Sequence, residues 1–82
     1  MDKVLREQGN ETRQRMYDFI VEFMTKNGYS PSIREIAEGI GLKSVSNVYD
    51  HLTILEQHGK IKMEEGKPRT ISVVGYKFVK VD

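Results

Sequence analysis

Two helical segments, each beginning with a capping serine and joined by a very short turn, constrain the fold of this chain more than any other feature. Ser32, followed three residues later by Glu35, has the capping-box pattern that begins a helix. Gly41 can end that helix after about two turns of apolar spacing, and Ser44 can cap another helix that reaches about His58. A pair of helices with so short a glycine-containing connection predicts a helix-turn-helix.

A longer amphipathic helix is expected before this pair and a β-hairpin after it. Between Thr12 and Lys26, apolar residues recur at the spacing of one helical face. After Gly59 the period changes to two, Glu65-Gly66 offers a turn, and residues 69–74 are expected to form the return strand. The predicted fold is mainly α with a small antiparallel β-hairpin: a three-helix winged helix-turn-helix domain over residues 12–74.

The two ends of the chain lie outside this predicted domain. Residues 1–11 are expected to form an N-terminal arm that is flexible. Residues 75–82 alternate apolar and basic side chains, as an extra strand would. Such a strand needs a partner edge, either in the hairpin sheet or in a second copy of the chain. The second arrangement leads to the hypothesis of a weak homodimer.

Composition bounds the class of protein without identifying it. A chain of 82 residues with 38% hydrophobic residues is expected to form one small packed domain. The sequence has no cysteine, signal-peptide core or apolar run of membrane-spanning length, so a cytoplasmic protein without a membrane partner is expected. The net charge is only +1, from 13 basic and 12 acidic residues, so a nucleic-acid partner is not indicated by charge alone.

Three segments together resemble the N-terminal DNA-binding domain of the LexA repressor family. They are GYSPSIREIAEGIGL at 28–42, KSVSNVYDHLTILEQHGKI at 43–61 and KPRTISV at 67–73. The resemblance implies a bacterial or phage-encoded transcriptional repressor, associated with the nucleoid, whose partner is double-stranded DNA. Its third helix would enter the major groove and its wing would touch the backbone. LexA-like repressors also carry a self-cleaving Ser/Lys domain for which this sequence has no room, so a stand-alone regulator and an excised domain both remain open.

The third helix separates into an inner and an outer face. With Val48, Leu52 and Leu55 directed inward, the polar residues of its first turns are left exposed and resemble the base-reading positions of the family. These candidate base contacts are Ser46, Asn47, Tyr49 and Asp50. Asn47 is the strongest of them, because a carboxamide can pair with adenine N6 and N7. Tyr49 can equally pack beside the second helix, and Asp50 can act mainly by rejecting wrong sites.

A second set of residues is expected to contact DNA phosphates without reading sequence. For the four basic residues the alternative is solvated surface charge, and for the serine it is helix capping. Lys60 and Lys62 are expected only to solubilise one face of a strand. The predicted backbone contacts are Ser44, Arg34, Lys43, Lys67 and Arg69.

Other classes of function find little support in the sequence. His51 and His58 lie seven residues apart on one helix, so about 10 Å of axial rise keeps them from sharing a metal ion. His51 is expected at the edge of the core instead. No catalytic constellation, phosphate loop or small-molecule site is apparent, so neither an enzyme nor a cofactor is expected. The rival interpretation is a winged helix used for protein–protein interaction or assembly, which the near-neutral charge would suit.

Overall fold

The chain forms three helices followed by a short hairpin, in a computed structural model that describes the backbone of residues 2–78 and the side chains of residues 9–78. Helix α1 spans Asp2–Asn27, α2 Ile33–Ile40 and α3 Val45–Gln57. Strands β1 (Ile61–Lys62) and β2 (Ser72–Val73) pair antiparallel. This element order confirms the predicted winged helix-turn-helix. Within residues 2–78, no helix combines the length and apolar content needed to cross a bilayer.

Helix α1 begins at Asp2, ten residues before the apolar spacing from Thr12 indicated, so the segment expected to form an arm is part of the helix. Gly9 and Asn10 both lie within the helix. One glycine inside a helix costs only about 1 kcal/mol, which neighbouring helix formers can offset. The Asn10 side chain also accepts a hydrogen bond from Arg13 Nη2 on the next turn, a pairing that the helical spacing allows.

The apolar faces of all three helices and the hairpin meet in one core. The inward stripe predicted for α3 is confirmed, because Val48 and Leu52 are fully buried and Leu55 nearly so. Burial of this kind is the main favourable term in folding. The other core residues are Met16, Ile20 and Met24 of α1, Ile36, Ala37 and Ile40 of α2, and Ile61, Ile71 and Val73 of the hairpin.

Close packing and capping fix α2 against α1. The ring of Phe19 lies so near Gly39 that an added Cβ would come within 2.1 Å of it. At the end of α2, Arg15 Nη2 donates to the carbonyl oxygen of Ile40 at 2.9 Å. Gly41 adopts the left-handed conformation predicted for it, with φ of 77°. The turn that leads into α3 is therefore fixed by the left-handed Gly41 at the end of α2 and by the hydrogen bond from Arg15 of α1.

The hairpin is shorter than the sequence predicted. A return strand from Arg69 to Val74 was expected, but the ladder contains only the pairs Ile61 with Val73 and Lys62 with Ser72. The reason is that Arg69 has a φ of 55°, which interrupts extended backbone. The predicted turn at Glu65-Gly66 is confirmed, and Gly66 supplies its positive φ.

The segment after β2 is irregular as far as residue 78, so the predicted extra strand is wrong for residues 75–78. The rest of that prediction, at residues 79–82, lies outside the described residues. Phe78 packs against the core, and its ring stacks on that of Tyr76 at 6.0 Å between centroids.

Tyr17 of α1 packs against the core. Burial, with a smaller contribution from Tyr76, raises the pKa of the Tyr17 hydroxyl.

Candidate nucleic-acid interface

The first turns of α3 present polar side chains to solvent. Ser46, Asn47 and Asp50 are exposed, and Tyr49 is 48% exposed. Between them, Val48 is fully buried and fastens the helix to the core. The helical spacing therefore places the four predicted base-contacting residues on a surface that a large partner can reach.

Ser44 is the N-cap of α3, as the alternative assignment for this residue anticipated. Its hydroxyl accepts from the backbone N–H of Asn47 at 3.4 Å. This contact supplies a partner for one of the free N–H groups at the helix start. A capping hydroxyl at this position also stands beside the positive end of the helix dipole, where a phosphate is favoured.

A cleft of about 300 Å³ separates α3 from the loop that joins β1 to β2. We call residues 63–71 the wing. Tyr49 forms part of the cleft wall on the α3 side, and Met63, Gly66 and Lys67 line the opposite wall. A second hollow of about 270 Å³ continues along Thr53 and Glu56 of α3. Tyr49, Thr53 and Glu56 of α3 thus face the wing across two adjoining hollows.

Polar side chains, rather than a long ladder, shape the wing. The hydroxyl of Thr70 accepts from Glu64 N at 3.0 Å and lies 3.2 Å from the carbonyl oxygens of Glu64 and Lys67. At the start of the wing, Met63 N donates to Glu56 Oε2 of α3 at 3.3 Å. The loop is thereby closed on itself and attached to the third helix.

Arg69 joins the other end of the wing to the turn before α2. Its Nη1 lies 2.8 Å from Glu35 Oε1 and donates to the Ser30 carbonyl oxygen at 3.1 Å. The guanidinium also lies over the ring of Tyr29, 5.2 Å from its centroid. Ile71 N donates to the buried Ser30 hydroxyl at 3.1 Å. The arginine predicted to contact phosphate therefore already has partners within the protein.

The remaining predicted phosphate contacts are exposed but differ in their neighbours. Lys67 forms an ion pair with Glu64, with 3.3 Å between Nζ and Oε2. Among residues 9–78, no ion-pair partner is found for Arg34 or Lys43. All three side chains are solvated, and an exposed ion pair such as that of Lys67 stabilises a fold by roughly 0–1 kcal/mol.

Two groups near the interface have shifted pKa values. The backbone N–H of Ser32 and then the guanidinium of Arg69 donate to Glu35, and together they lower the pKa of its carboxyl. Burial, assisted by the positive charge of Arg13 and opposed by Asp50, lowers the pKa of His51. The half-buried position of His51 confirms its prediction at the edge of the core.

No group of three potential metal-ligating side chains occurs within the described part of the chain. His58 is exposed and is the C-cap residue of α3. Its place at the helix terminus puts it near the negative end of the helix dipole.

Sequence reasoning missed the residues that hold the wing in place. Glu35 was identified only as part of the capping box, which the structure confirms, and Ser30 was not singled out. Their contacts with Arg69 and Ile71 join residues more than thirty positions apart, so no local pattern indicates them. A weak signal existed in Pro68-Arg69-Thr70, where a proline and two polar residues replace a regular strand pattern.

Comparison with known proteins places this fold in a family. The LexA DNA binding domain model matches residues 8–70. The chain is 43% identical over 68 residues to the LexA repressor of Acetivibrio thermocellus, covering 83% of this chain and 32% of that protein. It is 48% identical over 59 residues to the LexA repressor of Clostridium novyi, covering 72% and 29% respectively. The LexA repressor of Koribacter versatilis is 48% identical over 63 residues, with coverages of 76% and 30%. The chain spans about a third of the length of these curated relatives.

Proposed function

The chain belongs to the LexA DNA-binding domain family, and from that membership we propose that it binds double-stranded DNA sequence-specifically and represses transcription by covering a promoter. It would act by occupying its site, without chemistry of its own. The relatives that carry the name LexA repressor are bacterial proteins. We expect this regulator to be bacterial or phage-encoded, to be cytoplasmic and to act at the nucleoid.

One observation supports this proposal above the others: Tyr49, on the exposed first turns of α3, and the wing line the same cleft. An α-helix fits the major groove of B-DNA, which is about 12 Å wide. A helix seated there brings a neighbouring loop against the adjacent sugar-phosphate backbone. An interface for another protein would favour several exposed aromatic anchors, whereas Tyr49 is the one aromatic residue of α3.

The proposed base contacts are divided by chemistry. Asn47 would donate to and accept from one adenine, a bidentate contact worth about 1–3 kcal/mol of discrimination. Ser46 can donate or accept and therefore suits several bases. Tyr49 would touch a thymine methyl group or the backbone. Asp50 would accept from a cytosine amine or repel a mismatched site.

The proposed phosphate contacts surround this reading face. Lys67 at the wing, together with Arg34 and Lys43 near the two ends of α2, would neutralise backbone charge and set the register of the protein on the duplex. Ser44 would add a contact at the start of α3. The structural contacts of Arg69 compete with the phosphate contact predicted for it, and a separate experiment below distinguishes the two roles.

Two copies of the chain on one palindromic site are also proposed, as a weak homodimer. A two-fold symmetric site would bind one copy on each half. Sedimentation of the chain with and without its selected duplex tests this. A two-to-one complex supports it, and a one-to-one complex under all conditions removes it.

Selection from a random duplex library tests the main proposal. The chain is used to enrich bound duplexes, and affinity is then measured for the best selected duplex and for a scrambled duplex of equal length over a range of salt. Specific sites are typically bound about 10³-fold or more tightly than non-specific DNA. We expect a ratio of that order, and a ratio near one would refute sequence-specific binding.

Asn47→Ala is the matching test of the base-reading face. It should weaken binding to the selected duplex by about tenfold or more, as expected for one bidentate pair, and leave binding to the scrambled duplex nearly unchanged. Lys60→Ala on the hairpin serves as the control outside the face. Equal losses on both duplexes for Asn47→Ala would contradict its assignment.

A further inference from the structure

The end of the wing is held by three polar contacts that converge on the turn before α2. Arg69 Nη1 contacts both Glu35 and the carbonyl oxygen of Ser30, and Ile71 N contacts the Ser30 hydroxyl. We call Arg69, Glu35 and Ser30 the clamp. Ser30 is buried, whereas the side chains of Arg69 and Glu35 remain 44% and 35% exposed. The clamp therefore lies at the surface, beside the cleft between α3 and the wing.

The backbone at Arg69 suggests that its side chain is needed there. Its φ of 55° is a left-handed conformation that glycine adopts with far less strain. A residue held in such a conformation persists when surrounding contacts determine it. The contacts in this case are those of its own guanidinium with Glu35, Ser30 and the face of Tyr29.

Glu35 connects the clamp to the helix pair. Its Oε1 accepts from the backbone N–H of Ser32 at 2.8 Å and also lies 2.8 Å from Arg69 Nη1. The same carboxylate oxygen thus caps α2 and holds the wing. Because α2 leads through the Gly41 turn into α3, this oxygen fixes the wing relative to the helix that carries Asn47.

We propose that Arg69 is a positioning residue: the clamp holds the wing at the distance from α3 that lets both touch the same duplex. This inference rests on the proposed function. The hairpin ladder has only two residue pairs, so on this side the path of the loop depends on the buried Ile71 and on the polar contacts of the clamp. With the clamp broken, α3 still reaches the groove, but the wing no longer meets the backbone in register.

Removal of the Glu35 charge gives opposite results for the two possible roles of Arg69. If Arg69 binds phosphate directly, Glu35→Gln frees its guanidinium and removes a negative charge, so DNA should bind more tightly. If Arg69 acts through Glu35, the same substitution should weaken binding. Glutamine keeps a side-chain oxygen that can accept from Ser32 N, so the cap of α2 is retained.

The experiment measures affinity, salt dependence and footprint for Glu35→Gln, Arg69→Gln and the double variant. The probe is the duplex selected by the wild-type chain, with a scrambled duplex of equal length beside it. Glu38→Gln is the matched control, because Glu38 is exposed on the same helix and its side chain forms no ion pair among the described residues. Thermal unfolding of each variant sets a temperature at which all are folded.

We expect each single clamp variant to weaken binding to the selected duplex by about threefold to tenfold, the range for loss of one partly exposed charged contact. The double variant should be no weaker than the weaker single variant. The salt slope should fall by about one for Glu35→Gln as well as for Arg69→Gln, because Lys67 loses its phosphate contact when the wing leaves the backbone. Hydroxyl-radical protection should fade at the backbone positions under the wing and persist where α3 lies.

Tighter binding by Glu35→Gln would overturn the inference, as would a fall of about one in the salt slope of Arg69→Gln with the slope of Glu35→Gln unchanged. Equal weakening by Glu38→Gln would overturn it too, because the loss of any negative charge from α2 would then explain the effect. If the wild-type chain itself shows no preference for the selected duplex, the proposed function fails, and that result is visible before any variant is measured.

Discussion

The helix-turn-helix and the wing are held in place by different physics. Helices α2 and α3 are positioned by buried apolar side chains, with Ile36, Val48 and Leu52 fully excluded from solvent. The wing contributes Ile71 to the core, but polar contacts of Thr70 and Arg69 define its path. Apolar burial is non-directional and large, whereas surface hydrogen bonds are directional and individually small.

This difference assigns separate tasks to the two regions. The reading helix needs a fixed platform, and a packed core provides one because it resists small displacements. The wing needs a defined direction at little cost in global stability, and a few oriented polar contacts provide that. Substitutions in the two regions should therefore separate the stability of the domain from the placement of the wing.

The largest effect is expected from a cavity beneath α3. Leu52→Ala removes a fully buried side chain from the centre of the core and should lower the free energy of unfolding by about 2–5 kcal/mol. Urea denaturation followed by circular dichroism measures the change. A loss below about 1 kcal/mol would show that α3 is not held by burial as described.

Alanine substitutions at two glycines test the close packing of α2 against α1. Gly39→Ala should destabilise the domain by about 1 kcal/mol, because its Cβ would displace the Phe19 ring and the strain exceeds the gain in helix propensity. Gly9→Ala is the control: the nearest atom to its Cβ is 3.5 Å away, so it should stabilise α1 by up to about 1 kcal/mol. Stabilisation by both substitutions would disprove the tight contact.

A smaller effect is expected when the wing loses its internal contacts. Thr70→Val keeps the side-chain shape but removes the hydroxyl that joins Glu64 and Lys67. Because Glu64 is exposed, water can replace the lost partner, so global stability should fall by only about 0.5–1 kcal/mol. Amide exchange at Glu64 should accelerate strongly. Thr25→Val, which removes a hydroxyl contact within α1, should leave exchange in the wing unchanged.

The smallest effect concerns pH. Hydrogen bonds from Ser32 N and Arg69 lower the pKa of Glu35 in the folded state. A carboxyl with a lowered folded-state pKa stabilises the fold fully above its unfolded pKa, and this contribution is lost as pH falls through the folded value. An NMR titration of the Glu35 carboxyl should therefore give a pKa below the ordinary value of 4.5, and Arg69→Gln should raise it. A wild-type midpoint at or above 4.5 would contradict the clamp geometry.

The same division explains how much could be predicted from sequence. Caps, stops and apolar spacing operate within a few residues, so the limits of α2 and the inner face of α3 were predicted correctly from Ser32, Gly41, Ser44 and Leu52. The exposure of Asn47 followed from the same arithmetic. Its assignment to DNA bases stays a prediction.

The errors arose where local signals compete with context. Gly9 and Asn10 are individually unfavourable in helices, yet α1 continues through them. In the wing, the left-handed backbone of Arg69 shortened a strand whose sequence pattern extended to it. Its partner Glu35 lies far away along the chain, beyond the reach of any periodicity argument.

Mapping of backbone amide shifts on the free chain and on its complex with the selected duplex tests the central claim most directly. The account predicts that the largest shifts cluster at residues 44–50 and 64–69, with little change along the outer face of α1 or at Tyr76 and Phe78. Shifts concentrated on that opposite surface, with residues 44–50 unperturbed, would contradict it.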